Sequence, residues 1–206
     1  MDCNNVIVTI GRQVGSGGRL IGKILAERMG LAFYDREILA RAARESGIKD
    51  EFFEKADEKN NFMNGITTVF SSAFGTAGNF LSSESLFKFQ SDTIRKAATE
   101  GGAVFVGRCS DYVLRDFPNR TDVFITANIE DRIKRAAEYF NLSAGDAKIR
   151  IANDEQKRAG FYNFFTNKTW GASDSYHLCL NSSYLSLEQC ADIIENYIRI
   201  KAEKCS

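Results

Sequence analysis

An α/β fold, with a parallel sheet covered by helices on both faces, is the class this sequence predicts, and three observations predict it. Apolar runs rich in β-branched residues alternate with segments of helical apolar spacing along most of the chain. The run Ala103-Val104-Phe105-Val106 shows no polar alternation, as a strand covered on both faces requires. A glycine-rich turn joins the first apolar run to the first helical segment, which is the order of a strand, turn and helix that present backbone N–H groups to an anion.

Taken in order, Val6 to Ile10 reads as the first strand and Gly11-Arg12-Gln13-Val14-Gly15-Ser16-Gly17-Gly18-Arg19 as the turn. Apolar Ile21, Ile24, Leu25 and Met29 recur at helical spacing until Gly30, and Leu31 to Tyr34 reads as a second strand. Asp35 stands at the N-cap position of a helix over 36–46, which Gly47 stops. Residues 50–59 are charged and helix-prone. Residues 60–83 carry Phe62, Phe70, Phe74 and Phe80 among Gly, Ser, Thr and Asn with no lasting period. That segment reads either as a cover over a cleft or as a partner-contact surface.

Helical spacing resumes from Glu84 to Glu100, and Gly101-Gly102 precede the strand that ends at Gly107. A short helix from Ser110 to Arg115 and a strand from Asp122 to Ala127 follow. The next helix opens at Ala127 or Asn128 with Glu130 and Asp131 in its first turn, where acidic groups suit the dipole. Its Asp131, Arg132, Lys134 and Arg135 read as a solvated face. A second helix runs from Ser143 to at least Arg158, followed by the aromatic cluster Tyr162, Phe164, Phe165 and Trp170. His177 to Asn181 reads as the last strand, with His177 structural, and Ser186 to Lys204 as the closing helix.

A chain of 206 residues that is 44% hydrophobic can bury one sizeable core, so a single domain is expected. Lys+Arg and Asp+Glu both number 27, and this balance argues against a generic nucleic-acid binder. No apolar run is long enough to span a membrane and no leader is evident, so a soluble cytoplasmic protein is expected. The five cysteines, at 3, 109, 179, 190 and 205, are odd in number and lack C-x-x-C spacing. They read as reduced thiols, with Cys179 and Cys190 as core fillers.

The chemistry centres on the turn. Glycines at 15, 17 and 18 let the backbone curl around an anion, and Arg12 and Arg19 flank it with cations for phosphate oxygens. The bland alternative is a tight strand-to-helix turn that binds nothing. The pattern departs from Gly-x-x-x-x-Gly-Lys-[Ser/Thr]. With Gly17 as the last glycine, the first falls on Arg12 and the lysine on Gly18. No serine or threonine follows, Leu20 included, so a magnesium ion would rely on Ser16, a carboxylate or water. Asp35 and Arg108 both follow strands, at the edge where open α/β sheets bind ligands. Their plainer readings are a helix cap and a partner for a helix carboxylate, just as Lys157 and Arg158 read plainly as an exposed helix face.

Several motifs together carry a resemblance. They are the Gly11 to Arg19 turn, Phe33-Tyr34-Asp35, Val106-Gly107-Arg108, Asp154-x-x-Lys157-Arg158-Ala159, Trp170-Gly171 and Leu180-Asn181-Ser182-Ser183. In this order, from residue 6 to about 198, the chain resembles the cytidylate-kinase-like family of P-loop proteins, relatives of the nucleoside monophosphate kinases. The resemblance implies a three-layer P-loop NTPase-like domain over 1–206. It also implies a helical insertion at 48–100 that binds or covers the acceptor, and a lid-like helical segment at 143–170.

The resemblance further implies an ATP-dependent phosphotransferase using ATP and Mg2+ on a nucleotide or small phosphorylated substrate, with a homo-oligomer left open. Gly15, Ser16, Gly17, Gly18 and Arg19 would hold the donor phosphates. Arg12, Arg19, Arg108, Lys157 and Arg158 would supply catalytic cations, the last two from the lid, and no residue is assigned to a metal. Asp35, Arg108 and Asp111 would border the acceptor. Cys109 replaces the aspartate that follows this arginine in those enzymes, which puts base recognition in doubt. The absent loop lysine keeps two other readings open: a nucleotide- or anion-binding protein without turnover, and a small-molecule kinase with a non-nucleotide acceptor.

Overall fold

A computed structural model of the chain describes residues 6–35 and 83–205. The helix expected over 36–46, the charged stretch 50–59, all but the end of the 60–83 segment, and Cys3 lie outside them. The chain forms two compact units, residues 1–35 with 97–206 and residues 36–96. The described part of the second is the N-terminal portion of a helix, α2 (Ser83–Glu100).

The first unit is built on a five-stranded parallel sheet in the order β2-β3-β1-β4-β5. Its strands are β1 (Ile7–Arg12), β2 (Ala32–Tyr34), β3 (Ala103–Val106), β4 (Arg120–Thr126) and β5 (Leu178–Asn181). The helices are α1 (Gly18–Met29), α3 (Ser110–Val113), α4 (Ile129–Phe140), α5 (Ala144–Thr166) and α6 (Leu187–Cys205). β1 lies between β3 and β4, with Ile10 opposite Val106 on one side and Val123 on the other. Chain order then reverses around it: β1 leads to β2 on one side, and β4 leads to β5 on the other. Such a reversal opens a crevice at the carboxyl ends of the strands.

The pleat decides which side chains meet which layer. Val8, Ile10, Val104, Val106, Val123 and Ile125 join Ile21 and Leu25 of α1 and Cys190, Ala191, Ile194 and Ile198 of α6 in one core. Phe105 and Phe124 take alternate positions. Phe105 stacks on Tyr34 at 5.1 Å, and Phe124 meets Tyr176 at 4.9 Å and the edge of Trp170 at 5.5 Å. α4 and α5 close over Ala136, Ala147 and Ile151, together with Val14 of the glycine turn. The fold is the three-layer α/β arrangement that the sequence predicts.

α5 passes Arg158, its expected minimum, and runs to Thr166, so Tyr162, Phe164 and Phe165 are helical. Three local expectations need correction. Cys190 fills the core, whereas Cys179 lies exposed on β5, an edge strand with a neighbour on one side only. Arg132 of α4 is not on a solvated face: it is 5% exposed. The last strand begins at Leu178, with His177 just before it. Among the described residues no helix is long and apolar enough to cross a membrane.

His177 closes the inner end of β4. Its Nδ1 accepts the Asp122 N–H at 2.9 Å, and its own N–H donates to the Asp122 carbonyl at 2.8 Å. The same Nδ1 lies 3.2 Å from the Asp122 carboxylate, so Asp122 faces the ring with both its N–H and its side chain. Burial, then Lys201 and Arg120, lower the His177 pKa below 6.5, against the opposing pull of Asp122. A lowered value means that the unfolded chain takes up the proton first, so this ring contributes a loss of stability as pH falls below about 6.5. His177→Asn, whose Oδ1 can replace the Nδ1 acceptor, is expected to show a smaller fall in melting temperature between pH 7.5 and 5.5 than wild type. An equal fall in both proteins would remove His177 as the cause.

Candidate functional site

The glycine turn leaves β1 at Arg12 and enters α1 at Gly18, with Gly15 and Gly17 both left-handed at φ 77° and 79°. Side chains from outside the turn hold four of its carbonyl groups. Arg158 Nη1 donates to the Arg12 carbonyl at 3.1 Å, whereas the Gln13 carbonyl is bonded within the turn, by the Ser16 hydroxyl at 2.9 Å. Arg132 Nε donates to the Val14 carbonyl at 2.9 Å, Arg135 Nη1 to that of Gly15 at 3.4 Å, and the Ser182 hydroxyl to that of Ser16 at 2.6 Å. The Gly17 carbonyl accepts the helical bond from Ile21.

In a trans peptide the N–H points opposite to the preceding carbonyl, so outward carbonyls aim the following N–H groups inward. Three of those groups have protein acceptors: Gln13 bonds the Ile125 carbonyl, Val14 the Glu155 carboxylate and Ser16 the Gln13 carbonyl. The N–H groups of Gly15, Gly17 and Gly18 have none among the described residues. Arg19 and Leu20 add the orphan donors of the first turn of α1. Backbone donors without acceptors at a helix N-terminus are the arrangement that suits an anion.

Glycine also makes room for a cation. A Cβ on Gly18 would lie 2.6 Å from Arg12 Cβ, and one on Gly107 would collide with Arg12 Nη1. The Arg12 side chain therefore runs from the end of β1 across the start of α1 to the end of β3. It occupies space that a side chain at position 18 would need, so the missing lysine and the present arginine are one feature. Arg12 and Arg19 both reach Asp35, which is 6% exposed, at 3.9 Å and 2.6 Å.

Gly107, Arg108 and Cys109 are all left-handed, at φ 75°, 62° and 56°. For the two non-glycine residues this costs about 1–2 kcal/mol apiece, and such strain clusters at ligand sites. It turns the chain sharply at the end of β3 and sets Arg108 at the strand's carboxyl edge. Asp111, one turn on, accepts the Tyr162 hydroxyl at 2.6 Å. Burial raises the Asp111 carboxyl, with the Tyr162 hydrogen bond pulling the other way. Tyr162 and Tyr176 are raised by burial and by Asp111. Tyr176 packs over Gly11 of β1, and Trp170 and Gly171 lie against Phe124, the residue of β4 opposite Gly11.

The residues singled out from sequence thus divide. Arg12, Gly15, Ser16, Gly17, Gly18, Arg19, Asp35 and Arg108 share the carboxyl edge of the sheet, and Arg158 reaches it from α5. Lys157 is exposed on α5, and Asp111 is engaged by Tyr162. The Ser16 hydroxyl is buried and donates to Gln13, and the Asp35 carboxylate is paired with two arginines. Among the described residues no group of three His, Cys, Asp or Glu could hold a metal ion. The Ser16 hydroxyl and the Asp35 carboxylate are thus both engaged by other partners. Arg132, Arg135 and Glu155, which tie the turn down, were not anticipated. The one sequence signal was that Arg132 and Arg135 stand three apart just after a strand, and so share a helix face.

The cytidylate kinase-like family model matches residues 7–184. A solved structure of an uncharacterized protein from Eubacterium ventriosum is 26% identical, with a TM-score of 0.72 over 94% of this chain and 98% of that one. Shikimate kinase from Bacteroides thetaiotaomicron is 12% identical, with a TM-score of 0.57 over 94% of this chain and 98% of its own. Shikimate kinase from Acinetobacter baumannii, in complex with shikimate, is 14% identical, with a TM-score of 0.55 over 97% and 96%. These two share the fold. No curated protein matches the chain.

Proposed function

The chain belongs to the cytidylate kinase-like family and is by that membership a kinase-type phosphotransferase; on this premise we propose that it transfers the terminal phosphoryl group of ATP to a phosphate-bearing acceptor of the nucleoside monophosphate class. The observation that carries this reading is the turn in which the N–H groups of Gly15, Gly17 and Gly18 have no acceptor among the described residues. Phosphoryl transfer asks little covalent chemistry of a protein. It asks for positioning, and for positive groups on the oxygens of the transferring group.

The turn holds the donor phosphates. Arg12 supplies the cation that position 18 does not, with its guanidinium fixed between the two strand ends. Arg108 and Arg19 face the acceptor phosphate at the edge bordered by Asp35, and Arg158 adds charge from α5. The lid assignment for 143–170 and the acceptor assignment for 48–100 belong to the same proposal. Magnesium, which screens phosphate charge, would come on the nucleotide with its own waters, since it binds readily through substrate phosphates.

The test is a melting-temperature series with ATP, inorganic tripolyphosphate, CMP, dCMP, UMP and AMP, each with and without magnesium. A ligand at 100 times its Kd stabilises the folded state by about 2.7 kcal/mol, a shift of several degrees for a chain of this size. Shifts with ATP and with one monophosphate, followed by turnover of that pair, are expected. No shift with ATP or tripolyphosphate would overturn the reading. A shift with ATP and no turnover with any acceptor would leave a binding protein instead.

A further inference from the structure

The tethers on the turn are unequal, and one differs in kind. Glu155 Oε1 accepts the Val14 N–H at 3.1 Å, while Arg132 Nε donates to the Val14 carbonyl at 2.9 Å. The two side chains also bond each other, Arg132 Nη2 to Glu155 Oε1 at 2.5 Å. One residue is thus gripped at both its backbone polar groups by an ion pair whose members come from different helices, α4 and α5. Arg132 is 5% exposed. A Cβ at Gly15 would lie 2.5 Å from the Arg132 carbonyl oxygen, so the α4 backbone also forms the floor under the next peptide.

A buried ion pair is poor evidence of stability, because apolar residues of similar volume often serve as well. Its geometry here points elsewhere. With Val14 held at both ends, the Val14–Gly15 peptide plane has one orientation, which turns the Gly15 N–H to the inside of the turn. Glu155 by itself would place a negative charge behind an anion site, and Arg132 neutralises it there. We propose that Arg132 and Glu155 are positioning residues that set the Gly15 N–H toward the bound phosphate, an assignment that rests on the turn being the phosphate site. Gly17 is set independently, through the Ser182 hydroxyl on the Ser16 carbonyl.

That independence supplies the test. Amide resonances of Gly15 and Gly17 are followed by NMR during titration with inorganic tripolyphosphate, in wild type and in Glu155→Ala. Both resonances are expected to move in wild type. In the variant the Gly15 response is expected to collapse while Gly17 still responds, with affinity lowered roughly 10- to 100-fold, the scale of one hydrogen bond to a charged group. Glu155→Gln, which keeps an acceptor for the Val14 N–H, is expected to restore most of the response. If Glu155→Ala does not fold, Arg132→Lys, which keeps the charge but not the two-armed contact, is read in the same way. A Gly15 response equal to wild type in the folded variant overturns the positioning role alone. No response of either glycine in wild type overturns the phosphate site and the positioning role together.

Discussion

Replacing Arg12 with alanine is expected to lower phosphoryl transfer by ~10²–10³-fold, the scale on which removal of one preorganised charge-stabilising group acts, while the melting temperature stays near that of wild type. The two halves of this expectation have separate grounds. Arg12 is the cation lying across the start of α1 where the lysine of other phosphate loops would stand, and Gly18 and Gly107 leave it that space. Its loss removes positive charge from the transferring group and should therefore fall mainly on kcat. Stability depends on it less, because its ion pair with Asp35 is long at 3.9 Å and Arg19 holds the same carboxylate at 2.6 Å. Arg12→Lys is expected to recover part of the rate, since it restores a point charge but not a planar fork. Steady-state kinetics on the acceptor found by the melting series would decide. A loss below fivefold in Arg12→Ala would move the catalytic charge to Arg108 or Arg158.

What could be read from the sequence was what local chemistry dictates. The first strand, the glycine turn and α1 were legible because a buried strand, left-handed glycines and an orphan helix N-terminus each leave a mark on consecutive residues. The unbroken apolar run of β3 announced a strand covered on both faces in the same way. Contacts distant in sequence left no such mark. Arg132 lies on a helix whose charged neighbours suggest solvent, and it is buried only because Glu155, 23 residues later in the chain, meets it at the turn. Cys179 has the apolar neighbours of a core position, yet β5 is an edge strand, and strand order cannot be read from spacing. The end of α5 beyond Arg158 stayed open because its aromatic residues read as a cluster of their own. Nothing in the sequence distinguished Tyr162 as the donor to Asp111, a contact made across 51 positions.

Gly15→Ala is expected to destabilise the protein by about 2–5 kcal/mol and to abolish detectable ATP binding, and a second glycine makes the expectation specific. Gly15 and Gly30 both have positive φ, 77° and 64°, so a side chain at either carries backbone strain of about 1–2 kcal/mol. At Gly30, which caps α1, a Cβ would meet nothing within 4 Å, and the strain is the whole cost. At Gly15 the Cβ would also meet the carbonyl oxygen, Cα and carbonyl carbon of Arg132 at 2.5, 2.9 and 3.0 Å. These are backbone atoms of α4 that no rotamer change can move aside, and overpacking of that kind adds about 1–3 kcal/mol. Relief requires the turn to lift from α4, which stretches the Arg132 and Glu155 bonds to Val14 and turns the Gly15 N–H away from the anion. Gly30→Ala should therefore lose only about 1–2 kcal/mol and keep its ATP shift, whereas Gly15→Ala should lose more stability and the shift as well. Chemical denaturation of the two variants side by side, with and without ATP, separates the effects. Equal destabilisation with binding intact in both would mean that the floor under the turn yields, and that the loop does not depend on α4 for its shape.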